Sequence, residues 1–351
     1  MNKLLVCLIA FLLISLGLVG CGRGNDGQPS ASGSGKLQVV ATIFPAYDWT
    51  REILGSHSDE VELVLLLDSG VDLHNYEPTA KDLMKIRNCD LFIHVGGESD
   101  KWVESALASV PNSRRQVVNL LAVLGDQVHE EEVVEGMEHH HDDEDDEDAD
   151  HDDHDDHGHD DHADHADHDD AELDEHVWLS LRLSQQCCLA IAERLATLDA
   201  ANAADYRANC AAYCAKLAAL DAKFGEAVAA ASVKTVLFGD RFPFRYLTED
   251  YGLQYFAAFT GCSAESEASF KTVAFLAAKV DELNLPCVLA IEGAQHRLAE
   301  TILNTAKSAK GRPVRVLDSL QSTTASDVAA GKTYLGAMEK NLQTLQQALH
   351  N

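Results

Sequence analysis

Two histidines and one histidine-rich stretch carry the chemistry that can be read from this chain. Between His139 and His168 lie ten histidines, His139, His140, His141, His151, His154, His157, His159, His162, His165 and His168. The residues between them are almost all Asp and Glu. No apolar period runs through this stretch and its like charges repel, so the composition predicts a disordered acidic loop over 129–175. Imidazole is the commonest metal ligand, and an acidic surround concentrates divalent cations. The three-residue spacing of His151, His154, His157 and of His162, His165, His168 lets several rings converge on one ion. A plain acidic spacer has no use for histidine at every third position. The stretch therefore reads as an auxiliary metal-binding loop. It ends in Asp174-Glu175-His176-Val177-Trp178-Leu179, where apolar order resumes.

Charge elsewhere is ordinary. The net charge of −31 is local, because 26 of the 58 acids and no Lys or Arg lie in residues 130–175, leaving 32 acids against 27 bases. That balance argues against nucleic acid as a partner. At the N-terminus, Lys3 precedes an apolar run from Leu4 to Val19 that has the length of a signal-peptide core. Leu18-Val19-Gly20-Cys21 matches the bacterial lipobox, which predicts a signal peptide over 1–21, a lipid on Cys21 and a position outside the membrane. An uncleaved anchor helix is the alternative. Residues 22–35 are rich in Gly, Ser, Asp and Asn and form a flexible tether.

Seven cysteines follow Cys21, an odd number without a CxxC pair. Neither a full disulfide framework nor a zinc finger fits this pattern. Cys210 and Cys214 share one helix face and read as small buried apolar residues. A Cys262–Cys287 bridge is compatible with the spacing.

The elements that must position the chemistry alternate between strand and helix. β-rich runs at 36–44, 61–67, 91–95 and 116–120 are separated by helical segments, with Thr79 as an N-cap. A second set of strands at 234–238, 254–259, 287–291 and 314–317 again alternates with helices. Between the sets lie a helix at 181–198 and an Ala-rich helix at 200–231, long enough for a rigid strut. The expected fold is α/β, with two lobes that each hold a parallel sheet flanked by helices. The expected division is an N-terminal lobe at 36–199, a linking helix at 200–231 and a C-terminal lobe at 232–351.

In open α/β sheets, ligands bind beyond the carboxyl ends of the strands. The candidates there are His74, His176, Asp240, Glu292 and Asp318. Two imidazoles with carboxylates from both lobes suit Zn2+, with Mn2+ as the alternative. Asp240, Glu292 and Asp318 have a competing role as caps or ion-pair partners. His296 reads as solvent-facing on a helix, and His57 and His94 lie outside the site.

Gly70-Val71-Asp72-Leu73-His74-Asn75-Tyr76-Glu77-Pro78 resembles the G-x-x-x-H-x-Y-E-P signature of the metal-binding receptors of zinc and manganese ABC importers. Residues 174–179 resemble their D-P-H-V-W-L segment, with Glu175 in place of Pro. The acidic, histidine-rich insert is similar to that of the zinc branch. The resemblance covers nearly the whole mature chain. It implies a non-enzymatic lipoprotein receptor, monomeric and held at the bacterial cell membrane on its extracytoplasmic side. Such a receptor binds one ion between its lobes and delivers it to a permease. The chain departs from the family at one point. The position of the family's usual third ligand, before Phe244-Arg245-Tyr246-Leu247, holds Arg241, which cannot bind a cation. Asp240 or Glu292 would then complete the shell, and Asp318 matches the fourth position. A zinc-dependent hydrolase is less compatible, since the chain has no HExxH. A surface adhesin or metal buffer is a further alternative.

Overall fold

The computed structural model describes residues 35–137, 172–263, 267–293 and 295–350. The expected signal peptide, the lipid site Cys21, the tether up to Ser34 and all ten clustered histidines lie outside these residues. Among the described residues, no helix is long and apolar enough to cross a membrane.

The N-terminal lobe is built from β1 (Leu37–Ala41), α1 (Phe44–Leu54), β2 (Val61–Leu65), α2 (Ala80–Asn88), β3 (Leu91–His94), α3 (Trp102–Ser109), β4 (Gln116–Asn119) and α4 (Leu120–Leu124). Two long helices follow, α5 (Leu181–Leu198) and α6 (Ala203–Ala230). The C-terminal lobe holds β5 (Thr235–Phe242), α7 (Arg245–Tyr251), β6 (Gln254–Thr260), α8 (Phe270–Glu282), β7 (Val288–Ile291), α9 (Arg297–Thr305), β8 (Val314–Leu317), α10 (Ala325–Ala329) and α11 (Tyr334–Ala348). Each lobe carries a four-stranded parallel sheet, ordered β2-β1-β3-β4 in one and β6-β5-β7-β8 in the other. Helices cover both faces, which explains why β3 (LFIH) and β7 (VLAI) are buried at every position.

Local chemistry sets the element boundaries. Thr79 and Asp82 form a reciprocal capping box at the start of α2. Pro45 lies in the first turn of α1, where a missing N–H costs nothing, so this helix starts at Phe44 and not at Asp48 as the sequence suggested. Along α6 the buried residues Tyr206, Cys210, Tyr213, Leu217, Leu220 and Phe224 form a stripe that packs on α5, α1 and α11. Its 28 residues span about 42 Å. Cys262 and Cys287 are both free thiols, so the bridge allowed by their spacing is not formed.

Two departures from expectation bear on function. The first is β5, which does not stop at Phe238 but runs on to Phe242 through a register shift between Phe238 and Arg241. Asp240 and Arg241 therefore belong to a bulged strand. The second is the base of the acidic insert. His129 and Glu131 pair in antiparallel fashion with Asp174 and Glu172, and Met137 is buried. Ordered structure thus extends into the expected 129–175 loop from both sides.

The start of α11 reaches back to the N-terminal lobe. The Tyr334 N–H donates to Asp48 Oδ2 (2.7 Å), and its hydroxyl donates to the Trp178 carbonyl (2.6 Å) beside Ser184 Oγ (2.9 Å). All of this is buried. Tyr334→Phe is expected to remove one of two hydroxyls donating to the Trp178 carbonyl, leaving Ser184 Oγ at 3.2 Å, at a cost of about 0.5–1.5 kcal/mol. Thermal unfolding should show Tm lowered by roughly 2–4 °C per kcal/mol; an unchanged Tm would mean that the hydroxyl contributes no net stability.

Candidate metal centre

His74 stands on a single helical turn, Leu73–Asn75, in the loop after β2. The Asp72 carboxylate caps this turn by accepting the His74 N–H at 3.1 Å. His176 lies where the chain returns from the acidic insert, ahead of α5. The two loops bring the rings face to face, with His74 Nε2 and His176 Nε2 3.2 Å apart. Two nitrogens bound tetrahedrally to one zinc ion at about 2.0–2.1 Å stand roughly 3.3 Å from each other.

The opposite nitrogen of each ring is already engaged. His176 Nδ1 lies 2.9 Å from Asp174 Oδ1, which also accepts the His176 backbone N–H. His74 Nδ1 lies 2.6 Å from Ser99 Oγ and 3.7 Å from Glu175 Oε2. Metal-ligating histidines are fixed in this way, because a partner on one nitrogen sets the tautomer and aims the other. Glu175, at the position where the resemblance expects proline, is fully buried and accepts the Ser99 N–H at 2.8 Å. Gly97, at φ +83°, permits this, since a Cβ there would stand 2.3 Å from Glu175 Oε1.

The electrostatics favour a cation. Burial, reinforced by the neighbouring His176 charge, pushes His74 down to about 3, so its ring is neutral at ordinary pH. His176 is wholly buried, which disfavours its charge. Its contact with Asp174, with help from Glu131 and Glu175, outweighs that and holds its pKa above the usual imidazole value. Burial raises the Glu175 carboxyl to about 7.

A third donor closes on the rings. The ligating atoms of His74, His176 and Cys262 all lie within 4.8 Å of one another. Cys262 sits just past β6, and its thiol is pushed well up by burial and by the Glu131 carboxylate. Cys262 is not among the candidates read from the sequence, which are imidazoles and carboxylates at strand ends. Its position, a Gly-Cys pair at the carboxyl end of a strand, was the available signal. Gln321, after β8, is the other near neighbour. In the amide orientation that satisfies its surroundings, its oxygen faces His176 Nε2 at 3.0 Å and its NH2 donates to both Asp72 oxygens at 2.8 Å.

The three expected carboxylates are engaged elsewhere, and none belongs to the converging group among the described residues. Asp240 accepts the backbone N–H groups of Arg241 (2.9 Å) and Ile291 (3.3 Å), stitching the bulge of β5 to β7. Glu292 accepts from the Ser319 N–H (2.6 Å), the Gln321 N–H (3.1 Å) and the hydroxyls of Ser319 and Ser322. It is the anchor of the loop that carries Gln321. That loop includes Leu320 at φ +66°, a conformation a branched side chain rarely adopts unless held. Asp318 pairs with Lys332 at 2.8 Å and accepts the Leu320 N–H at 2.9 Å. Arg241 does not approach as a ligand; its guanidinium donates to Asp72 Oδ2 (2.6 Å) and to the Ser263 carbonyl (3.3 Å). Asp240, Glu292 and His296 line a neighbouring cavity of about 730 Å³. His57 bonds Asp205, and His94 pairs with Asp100, both away from the centre.

Known proteins resemble the chain throughout. The zinc-binding lipoprotein AdcA of Streptococcus pneumoniae (strain TIGR4) is 30% identical over 346 residues, 97% of this chain and 60% of that protein. The chain thus spans about three-fifths of the length of that relative. The high-affinity zinc uptake system protein ZnuA of Bacillus subtilis is 30% identical over 348 residues, 99% of this chain and 97% of that protein. Among solved structures, the Zn(II)-bound ZnuA-like domain of Streptococcus pneumoniae AdcA superposes with a TM-score of 0.65 at 27% identity, over 90% of this chain and 99% of that one. The family model described as ZnuA, zinc-uptake complex component A periplasmic, matches residues 39–348, and with two parallel-sheet lobes and facing imidazoles behind that match, the chain belongs to this family.

Proposed function

We propose that the protein is an extracytoplasmic receptor that captures Zn2+ between its lobes and delivers it to the permease of an ABC importer. The single observation that carries this reading is the 3.2 Å approach of two Nε2 atoms whose rings are fixed through Nδ1. The ion is cargo. His74 and His176 hold it, Asp174 and Ser99 aim the rings, and the surrounding acids draw the cation in. The relatives' names, zinc-binding lipoprotein and zinc uptake system protein, support the same reading. Imidazole donors favour zinc over manganese, which prefers oxygen. Transfer to a permease needs release, so a cleft between two lobes suits the task better than a closed cage within one. The lobes resemble transport receptors and not an enzyme family. On the same reading Cys21 carries the lipid, the monomer works at the extracytoplasmic face of the membrane, and the histidine-rich stretch collects further ions.

His74→Ala is expected to weaken binding of the first zinc ion by at least a hundredfold, because it removes one of two imidazole bonds. Competition against a chromogenic chelator checks this, and wild-type affinity would reject His74 as a ligand. Deleting residues 138–170 should leave that ion in place and remove several weaker ones in the same titration. Loss of the tight ion on deletion would make the stretch part of the primary shell.

The pH dependence follows from the two rings. His74 is already neutral, so of the two rings only His176 gives up a proton to admit the metal. Protonation competes with zinc, and affinity falls as pH drops through the raised His176 value. The slope of log affinity against pH should steepen there by one unit. A steepening by two, measured by competition between pH 8 and 5, would show that both rings titrate.

A further inference from the structure

The position that the family resemblance reserves for a third ligand is held by Arg241, and none of the carboxylates named as substitutes reaches the imidazoles. We propose that Cys262 Sγ is the third protein ligand of the ion held by His74 and His176, and that this sulfur makes the site select zinc over manganese. The inference rests on the receptor reading, since it concerns the same ion.

The geometry carries it in three ways. Sγ and the two imidazoles already lie within 4.8 Å of one another. A tetrahedral zinc with sulfur at about 2.3 Å and nitrogen at about 2.0–2.1 Å holds S and N roughly 3.6 Å apart. The sulfur and a ring nitrogen at the 4.8 Å limit would need to close by about 1.2 Å. The loop is also built against the ring. A Cβ on Gly261 would stand 2.9 Å from His176 Cε1 and 3.0 Å from the Phe242 carbonyl, so only glycine lets Cys262 come this near. Finally, the backbone of Cys262 is pinned. Its N–H donates to Glu131 Oε1 at 2.8 Å, and the next residue, Ser263, accepts from Arg241.

Arg241 thereby gains a role that its charge allows. One guanidinium nitrogen holds Asp72, two residues before His74, and another holds Ser263, one residue after Cys262. The arginine ties the two loops that carry ligands from opposite lobes. It is a positioning residue, and the sulfur takes over the coordination that an arginine cannot provide. Thiolate is a soft ligand suited to zinc, whereas manganese favours carboxylate, carbonyl and water.

The full-length protein loaded with one equivalent of Zn2+, studied by zinc-edge X-ray absorption, provides the test. One sulfur at about 2.3 Å is expected beside nitrogen and oxygen at about 2.0–2.1 Å. In Cys262→Ser the sulfur shell should vanish, zinc affinity should fall at least tenfold, and the preference for Zn2+ over Mn2+ should narrow. Gly261→Ala, which leaves the thiol in place, should weaken zinc in the same direction. Tight zinc bound through nitrogen and oxygen alone, with Cys262→Ser unchanged in affinity and selectivity, would overturn the sulfur ligand while leaving the receptor reading intact. Failure of the wild type to bind zinc tightly would reject both.

Discussion

The structure turns on two neutral-capable nitrogens brought to 3.2 Å from one another inside a protein. Two imidazoles approach so closely only when a shared proton or cation lies between them, because facing lone pairs repel. The protein enforces the approach from behind. Asp174 grips His176 through both its ring and its backbone, while Ser99, itself held by Glu175, grips His74. Such preorganisation places the cost of ordering the rings in folding and not in binding. The acids nearby supply the field that a divalent ion needs once it is stripped of water.

Much of the molecule serves to keep these loops in register. Each sheet presents its loops at the carboxyl ends of its strands, the place where open α/β sheets bind ligands. His74 follows β2, Cys262 follows β6 and Gln321 follows β8. Glu292 holds the last of these loops by its hydrogen bonds to Ser319, Gln321 and Ser322. The ordered base of the acidic insert also takes part. Glu131 lies in the paired stem and holds the Cys262 backbone, and Tyr246 bonds both the Asp174 carbonyl and the His129 N–H. The insert is therefore rooted beside His74 and His176, in contact with the segments that carry His176 and Cys262.

The sequence was most legible where chemistry is local. Alternating apolar runs located the strands of both sheets, and α5 and β8 begin and end where their periodicity predicts. His74 and His176 stood out because each sits in a polar segment with no structural need for imidazole. The carboxylates were less legible. A strand-end Asp or Glu that binds a cation looks the same in sequence as one that binds backbone N–H groups. In the structure Asp240 accepts backbone N–H groups at the β5 bulge, and Glu292 and Asp318 accept those of the 318–322 loop. Cys262 became visible only when two lobes and a glycine contact set it against His176, a tertiary event that no spacing records. The sequence shows that Arg241 has no lone pair to offer a cation, but its bridge from Asp72 to Ser263 depends on pairings across the cleft.

The central claim is that one ion is shared by His74 and His176. Anomalous diffraction at the zinc edge, from crystals of the protein loaded with a single equivalent of zinc, tests it most directly. The account predicts one dominant peak between the two rings, at about 2.0–2.1 Å from each Nε2. A dominant peak bonded to only one of the two rings, or lying outside the cleft, would contradict it.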